Sequence, residues 1–154
     1  MNGKQQEVKS EEKLVLIVDD DESVCDILCF IVRKEGFRVE KAVDGEEAMA
    51  KARLLHPSLI ILDLMLPKTG GYEILRELQT DHTANIQIVI VSGRRLDQTT
   101  LDILKNEPNV KEFIEKPVSP QALRGVLRSI LGGRRLAEGE KEHGNRQVDK
   151  ENKQ

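Results

Sequence analysis

Five side chains in this sequence have the types and placement that suit phosphoryl chemistry: Asp19, Asp20, Asp63, Ser92 and Lys116. Each stands at the end of a short run that reads as a strand. Asp19 and Asp20 follow residues 14–18, Asp63 closes the run from 59, Ser92 follows 86–91, and Lys116 follows 112–115. Two carboxylates about 4 Å apart repel by about 4 kcal/mol at an effective dielectric of about 20, so three that meet need a cation or a proton among them. An all-oxygen ligand set favours Mg2+ over zinc, and Mg2+ keeps waters that phosphate oxygens can replace. A carboxylate is also a nucleophile toward phosphorus, giving an aspartyl-phosphate. In such a site Asp63 is the nucleophile, Asp19 and Asp20 hold Mg2+, and Lys116 and Ser92 meet the phosphoryl oxygens. Taken singly, each has a plainer reading. Residues 19–22 are then a solvated helix start favoured by the helix dipole, Lys116-Pro117 a surface turn, and Ser92 a strand end. Their joint occurrence at four strand ends favours chemistry.

These groups meet only if the runs that carry them lie side by side and point the same way. The densest run, from Leu59 to Leu62 before Asp63, is bounded by Pro57 on one side and by Pro67, Gly70 and Gly71 on the other. It reads as a strand buried on both faces and followed by a sharp turn. Residues 14–18 and 86–91 read the same way. Residues 38–43 are mixed in polarity, as at a sheet edge, and 112–115 form a short fifth strand. Between them the apolar spacing predicts helices. Residues 23–35 carry Val24, Ile27, Leu28 and Ile31 on one stripe and end at Gly36. Asp44 caps a second helix, with Glu47 completing a capping box, and Ala48, Ala52 and Leu55 face inward. A third helix spans 72–80 with Ile74, Leu75 and Leu78, and a weaker fourth spans 94–106. Ser119 and Pro120 start a fifth, with Leu123, Val126, Leu127, Ile130 and Leu131 on one face up to Gly132. Five strands alternating with five helices predict an α/β fold, a parallel sheet covered on both faces. Ligands of such sheets bind at the carboxyl edge, where all five side chains would emerge.

Composition bounds the rest. A chain of 154 residues suits one domain with tails, here 1–12 and 133–154 as polar, disordered extensions flanking 13–132. A net charge of -3 with interspersed signs predicts no nucleic-acid surface and no polybasic membrane patch. Cys25 and Cys29, the two cysteines, lie on one helical stretch and read as small core residues in a reducing compartment. The first 13 residues lack the apolar centre of a signal peptide, and no apolar run approaches the length of a membrane span, so a cytoplasmic location is expected. His56, His82 and His143 fit no triad or zinc spacing.

The motifs together resemble the receiver domain of bacterial two-component response regulators. The resemblance runs from about Leu14 to Leu131 and rests on four motifs. They are Val-Asp-Asp at 18–20, Leu-Asp-Leu-Met-Leu-Pro at 62–67 with Gly71 after it, Val-Ser-Gly at 91–93 and Glu-Lys-Pro at 115–117. It implies a flavodoxin-like, doubly wound five-stranded sheet in the order 2-1-3-4-5. It also implies Mg2+-dependent phosphorylation by a sensor histidine kinase or a histidine phosphotransfer protein. On this resemblance Asp63 is the phosphoacceptor, and Asp19, Asp20, Asp63 and the Met65 backbone carbonyl meet the metal. Ser92 and Lys116 are the switch hydroxyl and lysine, and Phe113 is the aromatic switch residue. Gly93 stands where alanine is frequent and Gly70 where an acid is common. Met65 and Arg94 are expected to flank the phosphorylated acid and slow the attack of water.

The expected function is that of a phosphoacceptor switch. It catalyses only its own phosphorylation and dephosphorylation, and acts on a partner protein or a phosphorylation-dependent homodimer through the 94–131 face, with neither DNA nor membrane as a direct partner. A pseudo-receiver that scaffolds without phosphorylation is the alternative, disfavoured because all five key side chains are present. A phosphohydrolase would need a second acid two residues after the nucleophile, where Met65 stands.

Overall fold

The computed structural model describes residues 13–66, 70–80, 82–93 and 96–132. Five parallel strands form one sheet, β1 (Leu14–Val18), β2 (Arg38–Ala42), β3 (Leu59–Asp63), β4 (Gln87–Ser92) and β5 (Val110–Glu115), in the spatial order β2-β1-β3-β4-β5. The helices α1 (Glu22–Lys34), α2 (Gly45–Leu55), α3 (Gly71–Glu77), α4 (Gln98–Lys105) and α5 (Pro120–Leu131) fill the crossovers. The expected topology is therefore the observed one. The proposed extensions 1–12 and 133–154, together with Pro67 and Arg94, lie outside the described residues.

Strand alternation divides the core into two layers. Val15, Ile17, Ile61, Val89 and Val91 point to the side covered by α1 and α5, against Leu28, Val32, Leu123 and Leu127. Leu16, Val18, Ile60, Leu62, Ile88 and Ile90 point to the side of α2 and α3, against Ala48, Ala52, Ile74 and Leu78. The edge strands β2 and β5 are mostly exposed or half-buried, whereas β1 and β3 are buried throughout.

Local capping sets the helix starts. Asp21 caps α1, Asp44 caps α2 and Ser119 caps α5, each accepting a backbone N–H from the first turn. The Glu47 carboxylate reaches back as expected of a capping box, but it takes the N–H of Val43, one residue before the cap.

Four expectations are corrected. The inward stripe of α1 is Cys25, Leu28, Cys29, Ile31 and Val32, while Ile27 is 58% exposed. As α1 packs on the sheet, both thiols face the core. Leu55 is only half-buried at the end of α2. The fourth helix begins at Gln98 rather than at 94, because the Asp97 carboxylate accepts the Thr100 N–H at 2.7 Å and caps it there. The fifth strand starts two residues earlier than expected, since the Asn109 carbonyl accepts the Ile88 N–H at 2.8 Å and extends the pairing. The buried Asn109 side chain also donates to the Ile86 carbonyl and accepts from Gln79, which ties the starts of β4 and β5 to the end of α3.

Candidate phosphoryl and metal site

Parallel pairing brings the strand ends into line. Val18 pairs with Ala42, Asp63 with Val91, and Ser92 with Glu115, so the residues that follow them share one edge. Asp19, Asp20 and Asp63 each present a carboxylate oxygen there, all within 4.8 Å of one another. Asp19 and Asp63 are 2% and 4% exposed, and Asp20 faces solvent.

Lys116 supplies the compensating charge. Its Nζ donates to Asp19 Oδ2 at 2.8 Å and to Asp63 Oδ2 at 3.2 Å, bridging residues far apart in sequence. Burial alone would lower the pKa of this ammonium, but the hydrogen bond to Asp19 and the charges of Asp63 and Asp19 outweigh it and hold the pKa above its ordinary value. Lys116 is anchored beside Ser92, whose carbonyl accepts the Lys116 N–H at 2.9 Å. Ser92 is itself buried at the end of β4.

The remaining carboxylate oxygens are aimed by backbone. Asp63 Oδ1 accepts the Met65 N–H at 2.9 Å, and Asp19 Oδ1 accepts the Asp21 N–H at 2.9 Å. Asp21 is thus no ligand. Its own carboxylate accepts from the Ser23 hydroxyl and N–H and from the Val24 N–H, which lowers its pKa. An aspartate immediately before an apolar-periodic run is the cap signal by which sequence alone could have separated it from Asp19 and Asp20. Gly71 makes the turn after β3 possible. A Cβ there would lie 2.5 Å from the Leu64 Cα and 2.7 Å from the Asp63 carbonyl oxygen, so only glycine lets α3 begin against the site strand. At Gly93 the nearest atom to an added Cβ is the Lys116 Cδ at 3.9 Å, which leaves room for alanine.

Asp19, Asp20, Asp63, Ser92 and Lys116 all lie at this edge. Met65 is 49% exposed beside the acid. Phe113 is half-buried on β5, where it and Ser92 line a cavity of about 220 Å3 together with Ile90, Leu96, Leu101 and Ile114. Cys25 and Cys29 are buried free thiols, as expected of core residues. Burial, with the Asp19 charge next in weight, pushes the Cys25 thiol up to about 11. The donor set of three carboxylates is hard and all-oxygen, with one member open to solvent, and so fits Mg2+ with retained waters. Among the described residues no helix is long and apolar enough to cross a membrane.

A family model described as the response regulator receiver domain matches residues 15–128. The chain is 34% identical over 119 residues to the alkaline phosphatase synthesis transcriptional regulatory protein PhoP of Bacillus subtilis, covering 77% of this chain and 48% of PhoP. It is 34% identical over 118 residues to the DNA-binding response regulator MtrA of Mycolicibacterium paratuberculosis, covering 76% of this chain and 50% of MtrA. The chain thus spans about half the length of the curated relatives it matches. Among solved structures it is similar to the Vibrio cholerae chemotaxis protein CheY4, with a TM-score of 0.71 and 26% identity over 77% of this chain and 98% of that one. It also shares its fold with the receiver domain of the Pseudomonas aeruginosa sensor histidine kinase PA1611, solved with magnesium in its active-site cleft. There the TM-score is 0.69 and the identity 22%, over 78% of this chain and 98% of that one.

Proposed function

This chain belongs to the response regulator receiver family, and on that premise we propose that it is a phosphoacceptor switch of a two-component or phosphorelay system. The single observation that carries the reading is the meeting of Asp19, Asp20 and Asp63 within 4.8 Å, with Lys116 bridging two of them. Asp63 is the one acid that ends a central strand and is held from both sides, by the Met65 N–H and by Lys116. In the reaction an Asp63 oxygen forms the new bond to phosphorus while the bond to the donor's leaving atom breaks, and the leaving atom takes the electron pair. Asp19, Asp20, Asp63 and the Met65 carbonyl would hold Mg2+, which would supply charge neutralisation at the phosphoryl oxygens. Lys116 turns from Asp63 to those oxygens, and the Ser92 hydroxyl donates to one of them.

The cavity beside Ser92 is the space into which the Phe113 ring turns once the hydroxyl is drawn toward the phosphoryl group. That movement changes the 94–131 face, through which the chain acts on a partner protein or a second copy. The donor is a sensor histidine kinase or a histidine phosphotransfer protein, and the chain's only catalysis is on its own Asp63. DNA binding, named for MtrA, is a property of a protein about twice as long. We assign the receiver itself protein partners and a cytoplasmic location.

Intact-mass spectrometry after incubation with acetyl phosphate tests this. Gain of one phosphoryl group in the wild type with Mg2+, absent without Mg2+ and absent in Asp63→Asn, is the expected result. A folded wild type that binds Mg2+ but gains no mass would instead support a phosphorylation-independent scaffold.

A further inference from the structure

Every polar atom of Asp19 has a partner. Its N–H donates to the Ala42 carbonyl at 3.1 Å, Oδ1 accepts from the Asp21 N–H at 2.9 Å, and Oδ2 accepts from Lys116 at 2.8 Å. Its carbonyl oxygen accepts from the Cys25 thiol at 3.3 Å. When Oδ2 is given over to a cation, the Lys116 bond is the one that has to go. The aim of Asp19 then rests on the other three, of which Cys25 is the only side chain.

The position of that bond matters. The Asp19 carbonyl belongs to the rigid peptide plane that joins Asp19 to Asp20. Tilting the plane changes the direction of the Asp20 Cα–Cβ bond relative to Asp19, so whatever holds this carbonyl holds the two acids in register with each other. Cys25 is suited to do so. It is fully buried in the layer of Ile17, Leu28, Val32 and Leu123, where neighbouring side chains restrict its rotation. It sits in the first turn of α1, whose start Asp21 fixes.

We propose that Cys25 is a positioning residue of the acid site: its thiol holds the Asp19–Asp20 peptide and thereby sets the mutual aim of the two carboxylates and their affinity for Mg2+. The inference rests on the phosphoacceptor reading for the identity of the cation. Valine overfills and alanine underfills the space of Cys25, and neither can donate, so a loss that both share and serine reverses isolates the bond. Serine donates and would restore the bond.

The test uses the full chain as Cys25→Val, Cys25→Ala and Cys25→Ser, with Mg2+ affinity measured by calorimetry and amide hydrogen exchange followed at Asp20 and Asp21. The valine and alanine variants are expected to bind Mg2+ about three- to fivefold more weakly, the upper range of one weak S–H···O hydrogen bond. Their Asp21 amide is expected to exchange faster, while Cys25→Ser stays within about twofold of wild type on both readouts. Alanine stands in if valine fails to fold. Wild-type affinity in the valine and alanine variants, or an equal loss in all three, would overturn the role of Cys25 alone. A folded wild type that binds no Mg2+ would overturn the phosphoacceptor reading, and this inference with it.

Discussion

Replacing Lys116 by methionine keeps most of the stem and removes the charge, and its effect can be worked out from the site. The ammonium lies 2.8 Å from Asp19 Oδ2 and 3.2 Å from Asp63 Oδ2, contacts worth about 6 and about 5 kcal/mol of Coulomb attraction at an effective dielectric of about 20. Each pair of acids within 4.8 Å repels by at least about 3.5 kcal/mol on the same basis. Desolvation of the three groups offsets much of the attraction. The net loss should therefore fall near the low end of the roughly 3 to 5 kcal/mol seen when one partner of a buried pair is removed. We expect Lys116→Met to lose about 3 kcal/mol in urea unfolding at neutral pH in the presence of a chelator. Two perturbations should narrow that gap. Saturating Mg2+ replaces the missing charge, so the variant should be stabilised by Mg2+ more than the wild type is. High pH should narrow it too. The raised pKa of Lys116 means that its contribution is present below the ordinary lysine value and is lost as pH climbs through the folded value, a loss the variant cannot show. A stability gap that stays constant with Mg2+ and with pH would refute the reasoning, and would mean that Lys116 stabilises by packing its stem.

Four more outcomes are expected. Gly71→Ala should cost about 1 to 3 kcal/mol by urea unfolding and weaken Mg2+ binding, because the new Cβ meets backbone at 2.5 Å. Gly93→Ala, with 3.9 Å of room, should stay within about 0.5 kcal/mol. The half-exposed Met65 beside Asp63 should slow water attack, so a Met65→Asn, Arg94→Glu variant should lose its phosphoryl group faster than the wild type in a mass-spectrometric decay series. The Cys25 thiol, held up to about 11 when folded, favours the folded state below its unfolded pKa near 9. That contribution should fade as pH rises from there toward 11, and the Cys25→Ser variant should escape this part of the alkaline loss in a pH series of melts.

The sheet and the inventory of its site were legible in the sequence because both are written in near neighbours. Residues 14–18 and 59–62 are apolar at consecutive positions, which only a strand covered on both faces accommodates. Asp44, Ser119 and Gly132 marked helix ends through bonds that span three or four residues. Placing acids, serine and lysine at strand ends then followed from parallel order alone. Two of the failed expectations were local patterns overridden by tertiary contacts. Ile27 fitted the helical stripe, but the way α1 sits on the sheet turns Cys25 and Cys29 inward instead. Asn109 reads as a turn residue, and its role in extending β5 depends on Ile86, Ile88 and Gln79.

The sequence by itself determined which groups reach the carboxyl edge, since alternation, capping and chain order depend on the residues beside them. Only the tertiary structure decided how those groups engage. Lys116 spans 97 residues to reach Asp19 and 53 to reach Asp63, Gly71 is required because α3 starts against the Leu64 backbone, and the Cys25 thiol meets the Asp19 carbonyl. Such contacts are set by how layers of secondary structure pack, at the scale of tenths of an ångström. No period in the sequence carries that information.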